Sequence, residues 1–323
     1  MNYFNFYTNA RDRLIDTMIH LWVRGHNKEQ EYLSHLLKDE EPLLAEPVFQ
    51  SIFPWESSEH TFAEHASTLG VLKPEFVEAL SGNKVDSEQR FPKDRRPYKH
   101  QTESWKAMLG EAKKTIVVTS GTGSGKTECF MVPVLQDLVN QNKQGAIQAI
   151  FLYPLNALMD SQRKRVAAWC KALNPQVTFA IYNGDTKEPS KQEDKVALPE
   201  LISREAIRET PPQILFTNPT MLNYMLLRNK DRPILEKSQG QLRWILLDEA
   251  HTYTGSAAAE LALQLRRVLQ AFKVTVNQVN FAVTSATMGD SEEAQIRLKT
   301  FVSQLTGKQP KDIVIIGGQR IIP

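Results

Sequence analysis

From about residue 97 onward, short apolar runs alternate with longer stretches whose apolar residues recur every three or four positions. Seven runs read as strands: 115–119, 149–153, 177–182, 213–217, 244–247, 280–284 and 313–316. Helical stretches lie between most of them. In the one at 257–270, Leu261, Leu265, Val268 and Leu269 share a face. Strands that are apolar throughout, separated by helices, predict a mostly parallel sheet covered on both faces. The expected fold is therefore a doubly wound α/β domain, with ligands at the carboxyl ends of its strands.

The first ninety residues follow a different pattern. Positions 5–25 carry Phe6, Leu14, Met18, Leu21 and Trp22 at helical spacing, and a second helix is expected at 29–37. Pro42, Pro47 and Pro54 then punctuate a run of aromatics that reads as short helices and turns packed onto something larger. The polar stretch 81–96, with Gly82 and Pro92, reads as a linker. The expected division is a helical N-terminal extension over 1–90 and the α/β domain over 91–323.

Composition narrows the setting. The 323 residues hold 39 Lys+Arg against 37 Asp+Glu, a net charge of +2, with 41% hydrophobic residues. That balance excludes disordered and collagen-like chains and argues against a binder of nucleic acid over its whole surface, while leaving room for a local basic path. Cys129 and Cys170 are the two cysteines, too few for a disulfide framework and suited to a reducing cytoplasm. No 18-residue apolar run and no signal-peptide pattern is found, so neither a membrane span nor export is expected. The seven histidines show no metal-ligand spacing.

The strongest local signal is TIVVTSGTGSGKTECF, residues 115–130. A β-rich run enters a loop containing Gly121, Thr122, Gly123, Ser124 and Gly125, followed by Lys126, Thr127 and a helix. Such a loop turns backbone N–H groups inward to cradle phosphate oxygens at a helix start. Lys126 is expected on the β- and γ-phosphates and the Thr127 hydroxyl on Mg²⁺. The strict motif has Gly or Ala where Ser120 stands.

A second signal is LRWILLDEAH, residues 242–251, an apolar strand ending in two carboxylates. Beside a phosphate loop, Asp248 is placed to hold Mg²⁺ through its water shell and Glu249 to orient or deprotonate an attacking water. His251 is placed to hydrogen-bond onward and couple the site to neighbouring elements.

With SGTGSGKT, DEAH and Ser285–Ala286–Thr287 following in order, residues 91–323 resemble the first RecA-like domain of superfamily 2 DEAH/DEAD-box helicases. The resemblance implies a RecA-like P-loop NTPase domain, ATP and Mg²⁺ as cofactors, and catalysis by Lys126, Asp248 and Glu249. It implies coupling through His251, Ser285 and Thr287. PYKHQTES, residues 97–104, resembles the adenine-reading motif, with Gln101 on the base edge and Tyr98 or Phe91 stacked on the base. DEAHTYTGSAAAELALQLRRVL and the leader LLAEPVFQSIFPWESSEHTF are similar to the Lhr-like and MrfA-like branch of large bacterial helicases. Some members of that branch belong to anti-phage defence systems of the Druantia type.

Three segments resemble the family's strand-contacting motifs: YPLNALMDSQ with Pro154, Asn156 and Ala157; YNGDT with Gly184, Asp185 and Thr186; and TNPTML with Thr217, Pro219 and Thr220. Their shared logic is backbone N–H groups and small hydroxyls at loop and helix starts, which bind phosphates without reading bases. Gln162, Arg163, Lys164 and Arg165 add charge nearby, while Arg266 and Arg267 are expected to be solvated or ion-paired. The implied partner is nucleic acid, DNA ahead of RNA. Superfamily 2 motors also need a second RecA-like domain, for which no room remains after Pro310, so it is expected elsewhere in a longer chain or in a partner. The expected function is an ATP-dependent helicase or translocase. A nucleotide-gated binding or scaffold module is the alternative, and an ATPase acting on protein or in transport a weaker third.

Overall fold

The computed structural model describes residues 3–25, 27–40, 53–112, 114–121, 123–188, 199–285 and 291–322. They divide into two compact units, Met1–Phe53 and Pro54–Pro323.

The first unit contains α1 (Tyr3–Trp22) and α2 (Asn27–His35), which pack on each other. Ile15 and Ile19 are the buried positions of α1, whereas Phe6, Leu14, Leu21 and Trp22 are exposed. The inner face is therefore not the one the spacing suggested. Apolar residues occur all around this helix, so periodicity alone does not choose a side.

The second unit begins with α3 (Glu64–Ser67), α4 (Pro74–Ser81) and α5 (Lys99–Leu109). Strands and helices then alternate: β1 (Thr115–Thr119), α6 (Lys126–Gln141), β2 (Ala149–Leu152), α7 (Asn156–Ala172) and β3 (Phe179–Tyr182). They continue with α8 (Arg204–Glu209), β4 (Ile214–Thr217), α9 (Pro219–Leu227), α10 (Arg232–Lys237) and β5 (Trp244–Leu247). The last elements are α11 (Gly255–Ala271), β6 (Asn280–Ser285), α12 (Glu292–Thr306) and β7 (Ile313–Gly317).

All seven expected strands form, in one sheet of order β3-β4-β2-β5-β6-β1-β7, and every pairing is parallel. The alternation of a strand sends successive residues to opposite faces. Ile116, Val118, Phe151, Trp244 and Leu246 enter one core, and Val117, Ile150, Ile245 and Leu247 enter the other. Helices α5, α6 and α7 cover the first face, and α9, α11 and α12 cover the second. Parallel order puts all strand ends, and the loops after them, along one edge.

Residues 54–90, expected with the N-terminal extension, belong to the sheet unit, and 81–96 is not a linker. Phe62, Leu72, Phe76, Val85 and Phe91 are buried in the first core beside Trp105. The Phe62 and Phe91 rings lie 4.4 Å apart, and Phe62 meets Trp105 at 5.9 Å. Each such ring contributes about 1.5–3 kcal/mol by leaving water. These apolar residues stand singly between polar neighbours, so the stretch looked hydrophilic on average.

Candidate nucleotide site and nucleic-acid interface

At the end of β1 the chain turns through Ser120 and Gly121 into the start of α6. Gly123 and Gly125 have φ of +73° and +71°, the left-handed region open to glycine. A side chain at Gly125 would put its Cβ 2.3 Å from Gln101 Nε2. Ser120, the departure from the strict motif, is buried, and its hydroxyl is hydrogen-bonded to that of Ser124 at 2.6 Å, across the loop. The small polar side chain thus braces the turn. Lys126 Nζ donates to the Ser120 carbonyl at 3.1 Å and lies 3.4 Å from Glu249 Oε1.

Asp248 and Glu249 follow β5, next to β6. The Thr284 hydroxyl donates to Asp248 Oδ1 and accepts the Glu249 N–H at 2.8 Å. Burial pushes the Asp248 carboxyl up, helped by the Glu249 charge and opposed by the Thr284 hydrogen bond and by Lys126. Glu249 itself has φ of +48°, a left-handed conformation costing about 1–3 kcal/mol for a residue with a side chain. Its carbonyl accepts from the Thr252 N–H at 2.9 Å and hydroxyl at 2.8 Å, which fixes that conformation. His251 Nδ1 is 3.2 Å from Glu249 Oε2, a contact within the acidic motif itself.

A cleft of about 410 Å³ collects these groups. Gly123, Ser124, Gly125, Lys126 and Thr127 line one side, and Asp248 and Glu249 another. Tyr98, Arg95, Glu128, Leu158, Gln162 and Arg165 complete it. The hard oxygen donors of Thr127 and Asp248 beside a phosphate loop suit Mg²⁺, which is held by one or two carboxylates together with substrate phosphates.

The base-reading residues divide. Phe91 is 1% exposed within the core and does not reach the cleft. Tyr98 lines it. Gln101 is fully buried, its Oε1 accepting the Tyr98 N–H at 2.9 Å and its Nε2 donating to the Gly125 carbonyl at 3.1 Å. In this structure its amide joins α5 to the phosphate loop instead of facing a base. His100 adds a parallel tie, Nε2 to the Ser124 carbonyl at 2.7 Å. Thr122 and Thr287 lie outside the described residues. Ser285 Oγ is buried with no hydrogen-bond partner among the described residues, so the observed link from β6 to the acidic pair is Thr284. No local signal in the sequence singles out Thr284, because its partners are 35 and 36 residues away.

A separate cleft of about 480 Å³ lies at the ends of β2, β3 and β4. Pro154, Asn156, Gly184, Pro219 and Thr220, five of the residues expected on a nucleic-acid strand, line it together. Asn218, not singled out by the sequence, organises it. Its Oδ1 accepts the Met221 N–H at 2.8 Å as the cap of α9, and its Nδ2 donates to Asn156 Oδ1 at 2.9 Å. An Asn before Pro at a helix start was the available signal. Other expected residues sit elsewhere: Thr217 is buried with its hydroxyl on the Tyr182 carbonyl at 2.7 Å, and Asp185 and Thr186 line a neighbouring cleft. Ala157 is exposed at the start of α7 but does not line the cleft.

The basic run after Asn156 also turns away from this cleft. Gln162 and Arg165 face the nucleotide cleft, where Arg165 Nη1 meets Glu128 Oε1 at 2.7 Å. Arg163 pairs with Glu200 at 2.8 Å. Arg266, expected to be solvated or ion-paired, donates to the Gln304 and Leu305 carbonyls at the end of α12, and Arg267 donates to Asn223 Oδ1 at 2.8 Å.

A parallel sheet with a glycine-rich phosphate loop after β1 and an acidic pair after β5 defines a P-loop nucleoside triphosphatase domain of the RecA-like type. The chain belongs to the DEAD/DEAH box helicase family, whose model matches residues 98–296. It is 26% identical to Druantia protein DruE of Escherichia coli (strain UMEA 4076-1), covering 67% of this chain and 17% of that protein. Among solved structures it is similar to the DUF1998 helicase MrfA bound to DNA and AMPPNP, with a TM-score of 0.55 and 21% identity, covering 88% of this chain and 33% of that one. It is also similar to the DEAD-box helicase Mss116 bound to single-stranded RNA and UDP-BeF, with a TM-score of 0.61 and 16% identity, covering 81% and 46%. The chain thus spans between 17% and 46% of the lengths of these relatives. Among the described residues, no helix is long and apolar enough to cross a membrane.

Proposed function

We propose that the chain is the ATP-binding domain of a helicase or translocase that couples ATP hydrolysis to movement along nucleic acid, with DNA as the track. One observation carries this reading: the phosphate loop and acidic pair share one cleft, while five strand-contacting residues share another on the same edge of the sheet. In this reading Lys126 neutralises the β- and γ-phosphates, and Thr127 and Asp248 hold Mg²⁺. Bound there, Mg²⁺ supplies charge neutralisation for the transferring phosphoryl group. Glu249 takes the proton of the attacking water, and its left-handed backbone aims the carboxylate into the cleft beside Lys126. The starts of α7 and α9 take strand phosphates through backbone N–H groups.

A motor needs two elements that move relative to each other, so the working protein includes a second RecA-like domain facing this edge. The match to a Druantia protein supports a role in antiviral defence, within the cytoplasm.

The deciding experiment is ATP hydrolysis by the full-length protein with and without single-stranded DNA. Stimulation by DNA that Lys126→Ala abolishes is the expected result. Nucleotide binding with no DNA-dependent turnover would instead favour a nucleotide-gated binding module. RNA in place of DNA as the stimulating polymer would overturn the choice of track.

A further inference from the structure

The cleft at the ends of β2, β3 and β4 contains a feature that phosphate binding does not use. Tyr224 stands on α9 one helical turn beyond Thr220, lines the same cleft, and is 47% exposed. Four residues of helix put its ring about 6 Å further along the axis than the phosphate-binding start. The Arg228 guanidinium, one turn further again, lies 4.6 Å from the centre of the ring. Phosphates bound at the starts of α7 and α9 are served by N–H groups and small hydroxyls and need no aromatic plane.

We infer that Tyr224, flanked by Arg228, stacks a base of the single strand whose phosphates lie on the starts of α7 and α9. The inference rests on the nucleic-acid reading above and adds a contact to bases. The ring is set back from Thr220 along the helix, as a base is set back from its phosphate. The Arg228 guanidinium lies over one face of the ring, so the base takes the other, and its charge draws a polyanion. A protein surface is the competing occupant, since Tyr and Arg also favour such interfaces. Continuity with five residues of the strand path favours nucleic acid. Every base has a flat face, so the contact is indifferent to sequence, but bases inside a duplex are stacked on one another and unavailable. Tyr224 therefore gives preference for single strands, which phosphate contacts alone do not give.

The test measures binding of the full-length protein to a fluorescein-labelled single-stranded DNA oligonucleotide and to one of equal length whose central nucleotides are abasic. Tyr224→Ala is expected to weaken the base-bearing complex by roughly 5- to 150-fold, the range for one stacked base, and to leave the abasic complex unchanged. Tyr224→Phe retains wild-type binding, and Asn156→Ala weakens both complexes alike. Circular dichroism melting confirms that each variant is folded. If Tyr224→Ala binds the base-bearing strand as wild type does while Asn156→Ala does not, stacking is refuted, the nucleic-acid reading stands, and the ring belongs to a protein surface. Equal losses on both strands also refute stacking. Failure of the wild-type full-length protein to bind either strand removes the nucleic-acid reading along with it.

Discussion

The Thr284 hydroxyl is hydrogen-bonded to the Asp248 carboxylate, tying the end of β6 to the end of β5. The same oxygen accepts the Glu249 N–H. One hydroxyl thus orients the Asp248 carboxylate and pins the backbone of Glu249. It also offsets part of the cost of keeping Asp248 charged in a buried position.

Thr284→Val preserves shape and removes both contacts. Turnover is expected to fall by roughly 10- to 100-fold, the loss of about 1.4–2.8 kcal/mol of positioning, while nucleotide affinity changes little. Because the lost hydrogen bond had lowered the Asp248 pKa, that pKa rises further and the acid limb of the pH–rate profile moves to higher pH. Thr284→Ser restores both. An unshifted acid limb in Thr284→Val would show that the hydroxyl serves only packing.

Gly125 and Gln101 form a tight pair, and their variants are expected to be coupled. Gly125→Ala forces a left-handed alanine against the Gln101 amide and should cost about 1–3 kcal/mol of stability and most nucleotide binding. Gln101→Ala leaves the Tyr98 N–H and Gly125 carbonyl without their partner and should cost about 1–3 kcal/mol. The double variant should lose less than the sum, because the clash is gone. Urea denaturation of the four proteins measures the coupling, and strict additivity would contradict it.

Glu249→Gln should slow hydrolysis by roughly 10²-fold or more with nucleotide affinity intact, the scale for loss of a positioned base. Glu249→Gly should be equally inactive, yet no less stable than Glu249→Gln, since glycine adopts φ of +48° without strain. A calorimetric melt in which the glycine variant unfolds well below the glutamine variant would show that the backbone there is unstrained.

His65 ties stability to pH. Burial against Trp105 lowers its pKa to about 4, with Lys106 and His60 adding to the effect. A histidine held neutral in the fold contributes in full above its unfolded pKa near 6.5, and its contribution declines as pH falls from there toward 4. His100, lowered by burial and only partly compensated by the Ser124 carbonyl, acts in the same direction. Stability should therefore fall over this interval by up to about 1.4 kcal/mol per pH unit through His65. His65→Gln should flatten the slope measured from urea midpoints, and an unchanged slope would exonerate His65.

The sheet was legible because each strand is a short β-rich apolar run buried on both faces, so burial and sequence carry the same signal. The phosphate loop and acidic pair were legible because glycines and paired carboxylates at strand ends have few other uses. The contribution of Phe62 and Phe91 to the core was hidden, since isolated aromatics among polar residues reveal their burial only through partners such as Trp105 and Trp169. Thr284, Asn218 and the inward turn of Gln101 were hidden for a related reason. Each is defined by a hydrogen bond to a distant segment, and residue type alone does not say which bond a hydroxyl or amide will make.

Helix α7 touches both clefts, Asn156 at its first residue and Arg165 nine residues later, about 13 Å along the axis. In the proposed reading, α7 is a rigid rod that meets a ligand at two points along its length, and so acts as a lever. Any tilt imposed at Asn156 by the proposed strand would arrive at Arg165 and Glu128, beside the phosphate loop. Binding free energies are reciprocal, so the factor by which a strand alters nucleotide affinity through this lever is the factor by which nucleotide alters the hold on the strand. The stiffness of one helix would then set the gain between chemistry and grip.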